Sequence, residues 1–135
     1  MKAIDAQTVK IALAGNPNAG KSSIFNALTG SRQQVANYPG VTVEKRSGEF
    51  SIGEVNYKVL DLPGTYSLSS FSPEERIAQE ELLQGDIDVV VVVVDSTTLK
   101  RSLVLFAQLI QAGFQLVLCL NMCDEAERAG LRIDV

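Results

Sequence analysis

Residues 15–22 read Gly-Asn-Pro-Asn-Ala-Gly-Lys-Ser, which fits the pattern G-x-x-x-x-G-K-[ST]. That spacing can hold a chain of phosphates. Gly15 and Gly20 let the loop Asn16, Pro17, Asn18 and Ala19 curl so that backbone N–H groups face inward. Lys21 can reach the β- and γ-phosphates, and the Ser22 hydroxyl, followed by Ser23, can ligate Mg²⁺. A helix starting after Gly20 adds the positive end of its dipole.

Two further segments extend this chemistry. In Asp61-Leu62-Pro63-Gly64 the carboxylate can hold Mg²⁺ through water, and the Gly64 N–H can meet a γ-phosphate. Alone, D-x-x-G is usually a turn; downstream of a phosphate loop it gains meaning. Thr42, in Pro39-Gly40-Val41-Thr42, can complete the Mg²⁺ shell when a γ-phosphate is present. Lys21, Thr42 and Gly64 are thus the candidates for hydrolytic chemistry.

The base is addressed by Asn121-Met122-Cys123-Asp124. The Asp124 carboxylate can accept two hydrogen bonds from guanine, from N1–H and the exocyclic amine, a pair that adenine cannot supply. Asn121 can brace the loop and contact the ring. N-x-x-D is common, and its weight comes from its place at the end of a strand, where sheets of this kind bind ligands.

These residues need a scaffold, and the hydrophobic pattern predicts one. Residues 9–14 read as a buried strand, and Lys21–Thr29 as a helix with Ile24, Phe25 and Leu28 on one side. Residues 31–42 read as loop. Residues 43–52 and 54–60 read as a hairpin about Gly53. Ser72-Pro73-Glu74-Glu75 is a helix start, with Ser as N-cap, Pro at the first helical position and Glu at the third, for a helix running to about Gln84. The β-branched run 89–94 reads as a strand buried on both faces. Leu99, Leu103, Phe106 and Ile110 give the next helix an apolar face, and 116–120 is a final buried strand. The order predicts a three-layer α/β fold of the P-loop NTPase type, its sheet mainly parallel with one antiparallel hairpin strand.

Composition narrows the function classes. The chain has 135 residues, 46% hydrophobic, with a net charge of −4. The acidic balance argues against a nucleic-acid partner, which needs clustered Lys and Arg. Two cysteines without histidine make a zinc site a poor reading, and Cys119 reads as a core residue. No segment approaches the roughly 20 apolar residues that a membrane span needs.

Taken together, GNPNAGKSSIFNALTG (15–30), VANYPGVTVEKRSG (35–48), DLPGTYSL (61–68), SPEE (72–75) and NMCDEAERAG (121–130) resemble the translation-factor class of small GTPases. The match is closer still to the N-terminal G domain of the ferrous iron transport protein B (FeoB) family. That resemblance covers residues 9–135 and implies a slow GTPase with GTP or GDP and Mg²⁺ as ligands. It implies K⁺ held by Asn18 and by backbone carbonyls around Ala36 and Tyr38. It also implies a helical spacer and a polytopic membrane domain in the full-length protein, with this domain at the cytoplasmic face of the bacterial inner membrane. By the same resemblance residues 1–135 are one G domain lacking its final strand and helix, so that the last strand is an edge open to association of copies.

Two departures stand out. Met122 occupies the place where most small GTPases carry Lys, and Thr65 follows Gly64 where many place a water-orienting Gln. A soluble ribosome- or tRNA-associated GTPase of the same class is the alternative reading, and an adenine-binding P-loop protein a weaker third.

Overall fold

The computed structural model describes residues 7–16, 19–68, 72–95 and 99–121. The strands are β1 (Thr8–Gly15), β2 (Gln33–Asn37), β3 (Glu44–Ile52), β4 (Val55–Asp61), β5 (Val89–Asp95) and β6 (Leu116–Asn121). The helices are α1 (Lys21–Thr29), α2 (Pro73–Gln84) and α3 (Leu99–Gln111). The strands form one sheet in the order β2-β3-β4-β1-β5-β6. β1 runs parallel to both β4 and β5, and β5 parallel to β6. β3 is antiparallel to β4, and β2 antiparallel to β3.

Alternation along the central strands divides the core into two layers. Ala12, Ala14, Val90, Val92 and Val94 face one side, where Ala78 and Leu82 of α2 and Leu105 and Leu109 of α3 cover them. Leu13 and Val59 face the other side and pack on Phe25 of α1. The valine run behaves as its β-branched composition predicts: Val90, Val92, Val93 and Val94 are all buried. α2 begins as read, since the Ser72 hydroxyl accepts the Glu75 N–H at 3.1 Å with Pro at the first position.

Four expectations are corrected. Residues 31–42 are not all loop, because β2 lies within them. Its side chains are mostly exposed, so the strand is held by backbone pairing to β3 and leaves no apolar signature. The buried face of α3 is Leu105 and Leu109, with Phe106 of the expected stripe half-buried against the same core, whereas Ile110 is exposed. The helix packs on β5 through that side, so the position of the strand turns the buried face away from Ile110. In α1, Phe25 and Thr29 are buried while Leu28 is exposed. Cys119 is half-buried rather than fully in the core.

At the end of β1 the backbones of β1 and β5 come close. A Cβ on Gly15 would stand 2.6 Å from the Val93 carbonyl oxygen. Neither backbone can yield without breaking the β1–β5 ladder, so Gly15→Ala is expected to destabilise the fold by about 1–3 kcal/mol. A thermal or urea melt without nucleotide checks this. An unchanged midpoint would mean that the strands can part there.

Candidate functional site

The C-terminal ends of β1 and β4 deliver the phosphate-loop residues and Asp61 to one edge of the sheet. After β1 the chain turns through Asn16, whose carbonyl accepts the Ala19 N–H at 3.2 Å. Gly20 adopts φ 88°, a left-handed conformation that lets α1 begin immediately after the turn. No side chain caps α1 and no acidic residue lies in its first turn, so its first N–H groups have no competing anion. The helix start therefore suits a phosphate.

Lys21 and Asp61 meet at the floor of this edge. The Lys21 ammonium hydrogen-bonds Asp61 Oδ1, and the two side chains are only 10% and 6% exposed. A carboxylate so buried needs a cation beside it. Here Lys21 is that cation, and a metal ion at Asp61 can replace it.

The strand direction of β4 continues past Asp61. The Leu62 N–H donates to the Leu13 carbonyl at 3.0 Å, and the Thr65 N–H to the Gly15 carbonyl at 2.9 Å. These bonds stitch the D-x-x-G segment to the phosphate loop and set Gly64 beside it. Asn16, Gly20, Lys21, Ser22, Ser23 and Gly64 line an open cleft of about 860 Å³. That volume falls within the range of small-molecule sites.

The sequence reading placed Thr65 beside Gly64 and missed the rest of the lining. Thr65, Tyr66, Ser72, Glu74 and Glu75 also line the cleft. Glu74 and Glu75 read as helix-start residues and nothing more. Glu75 accepts hydrogen bonds from the Ser67 hydroxyl at 2.9 Å and the Ser72 hydroxyl at 3.3 Å. The Leu68 N–H donates to Gln108 Oε1 of α3 at 2.8 Å, which ties the segment after Gly64 to the far helix. Only the depth of the capping box hints at this wall in the sequence.

Other expected site residues lie elsewhere. Thr42 is exposed, and Ala36 sits in the β2–β3 ladder opposite Lys45. Tyr38 is buried, its carbonyl accepting the Val41 N–H at 3.3 Å. None of the three is among the residues lining the cleft. Leu62 is buried and Pro63 half-buried behind Gly64. Asn121 ends β6 in register with Asp95 of β5, at the same sheet edge. Pro17, Asn18, Met122 and Asp124 lie outside the described residues. Among the described residues no helix is long and apolar enough to cross a membrane.

The family model described as ferrous iron transport protein B matches residues 9–135. The Fe(2+) transporter FeoB of Campylobacter jejuni is 47% identical over 126 residues, covering 93% of this chain and 21% of that protein. The chain therefore spans about a fifth of the length of that relative. The G domain of the T. maritima FeoB iron transporter superposes with a TM-score of 0.87 at 47% identity, over 95% of this chain and 78% of that one. A mutant of S. thermophilus NFeoB bound to GDP gives a TM-score of 0.86 at 46% identity, over 94% of this chain and 50% of that one. Matched by that family model over residues 9–135 and by relatives at this level of identity, the chain belongs to the ferrous iron transport protein B family.

Proposed function

We propose that residues 1–135 form most of the GTP-binding domain of a ferrous iron transporter, continued by a final strand and helix, a helical spacer and a membrane domain. It acts at the cytoplasmic face as a slow GTPase, cleaving GTP to GDP and phosphate. The observation that carries the reading is the buried Lys21–Asp61 pair between an uncapped helix start and Gly64. A triphosphate offers Lys21 a new partner, and Asp61 is then free to hold Mg²⁺ together with Ser22 and Thr42. Mg²⁺ would neutralise charge on the phosphate oxygens. A donor set of one buried carboxylate and two hydroxyls, all oxygen, suits that hard cation.

This chain's own residues supply the rest. Lys21 and the N–H groups of residues 15–23 hold the phosphates. Gly64 donates to the γ-phosphate, and the hydrogen bonds of Leu62 and Thr65 to β1 fix it in place. Thr65 cannot orient water as Gln does, which fits slow turnover. K⁺ held by Asn18, with the carbonyls of Ala36 and Tyr38, would add positive charge where it develops in the transition state.

Competition titration with a fluorescent GDP analogue tests the binding reading: GTP and GDP displace it and ATP does not. Turnover at saturating GTP tests the rest. It should stop without Mg²⁺ and run faster in KCl than in NaCl at equal ionic strength, a difference that Asn18→Ala abolishes. Equal displacement by ATP would overturn the guanine reading, and equal rates in the two salts would remove the role of K⁺.

A further inference from the structure

The connection between β2 and β3 is a closed hairpin. The Tyr38 N–H donates to the Val43 carbonyl at 2.9 Å, and the Val41 N–H returns to the Tyr38 carbonyl at 3.3 Å. Pro39 and Gly40, the latter at φ 78°, occupy the middle of that turn, as a type II geometry requires. From Gln34 to Thr42 every side chain is exposed except that of Tyr38, which is 6% exposed. Tyr38 is therefore the one side chain between residues 34 and 42 that is buried, while β3 holds the hairpin to β4 through the backbone.

The surroundings of that ring are unusual. The Lys45 ammonium lies 5.6 Å from the ring centroid, a cation–π distance. The hydroxyl is buried and has no hydrogen-bond partner among the described residues. Burial, and then the negative charges of Glu81 on α2 and Asp61 at the end of β4, push its pKa above the ordinary tyrosine value. A buried phenol without a hydrogen-bond partner is a poor resting place for a polar group. Ring burial favours the hairpin, and the unsatisfied hydroxyl opposes it.

We infer that Tyr38 is the anchor that sets the preference of this domain between di- and triphosphate. The inference rests on the role given to Thr42. In the hairpin conformation Thr42 is exposed and does not line the cleft. On this inference Thr42 reaches a cation shared by Ser22 and Asp61 when the turn at residues 38–43 opens and the ring leaves its pocket. A ring held too firmly would lock Thr42 out, whereas the orphan hydroxyl keeps the anchor weak enough for a triphosphate to release it.

Tyr38→Phe keeps the ring and the Lys45 contact and removes the unsatisfied group. It should strengthen the anchor. Hydrogen exchange of the peptide containing residues 38–43, measured on the chain without nucleotide, should slow. The affinity for a non-hydrolysable GTP analogue with Mg²⁺ should fall by about tenfold relative to GDP, the size expected when one buried unsatisfied hydroxyl is removed from one state only. Tyr38→Ala should speed exchange of the same peptide and shift the ratio the other way. Exchange unchanged in Tyr38→Phe would overturn the anchor. Exchange slowed with an unchanged affinity ratio would overturn its coupling to nucleotide choice. Because exchange is read without nucleotide, a failure of the guanine reading in the parent chain appears separately, as loss of GDP and GTP binding alike.

Discussion

Lys21→Met is expected to cost the protein both stability and nucleotide affinity, and the two losses are separable. In the folded chain the Lys21 ammonium is hydrogen-bonded to Asp61, and both side chains are almost wholly buried. Removing one partner leaves the Asp61 carboxylate buried without a counter-charge. Such a broken pair destabilises by about 3–5 kcal/mol. The same variant also loses the charge-assisted bond from Lys21 to phosphate, worth roughly 1.5–3 kcal/mol, or about ten- to hundredfold in affinity. Adding Asp61→Asn removes the orphaned charge. The double variant should recover most of the stability, because a neutral pair of similar size carries no unpaired charge. It should not recover triphosphate binding. Urea melts and nucleotide titrations on parent, both single variants and the double variant give the full cycle. Recovery of both properties together would mean that Lys21 acts only as the counter-ion of Asp61 and never touches phosphate.

That result would also explain why the pair is legible in sequence as two separate motifs but not as a contact. Lys21 and Asp61 are each placed by a pattern: one by the glycine spacing of the phosphate loop, the other by the end of a strand before Pro63-Gly64. Their meeting depends on β1 and β4 being neighbours in the sheet, which strand order decides. The elements with strong local signals were readable for the same reason. The valine run of β5, the capping box of α2 and the glycine stops are set by local physics.

What escaped the pattern was set by tertiary context. β2 carries no buried stripe and exists because β3 offers it an edge. The exact buried face of α3 is set by where β5 lies, which brings Leu105 and Leu109 rather than Ile110 onto the valines. Tyr38 read as a loop residue with a backbone carbonyl for K⁺, because nothing in Asn37-Tyr38-Pro39-Gly40 says that the ring turns inward. The acidic wall of Glu74 and Glu75 follows from α2 starting at the rim of the cleft. Ser72 and Pro73 announce the start of that helix but not its position.

Asp124→Asn should switch the base. β6 ends at the sheet edge that holds Asp61, since Asn121 pairs with Asp95 at the C-terminal end of β5. Asp124 follows three residues later, outside the described residues. A carboxylate accepts from both N1–H and the 2-amino group of guanine. An asparagine side chain offers one acceptor and one donor, so its NH₂ would face the 2-amino group as donor against donor. The loss of a charge-assisted pair is worth roughly 2–3 kcal/mol, or about 30- to 150-fold in GTP affinity. Xanthine carries a carbonyl at that position, which the asparagine NH₂ can meet while its oxygen accepts from N1–H. The variant should therefore prefer XTP to GTP, reversing the order in the parent, and should bind ATP no better than before. The phosphate contacts are untouched by this change, so turnover at saturating XTP in the variant should match that of GTP in the parent. Competition of GTP, XTP and ATP against a fluorescent diphosphate on both proteins reads the reversal directly. If the variant kept its GTP affinity and gained nothing for XTP, Asp124 would not face the base, and the specificity for guanine would have to come from elsewhere in the chain.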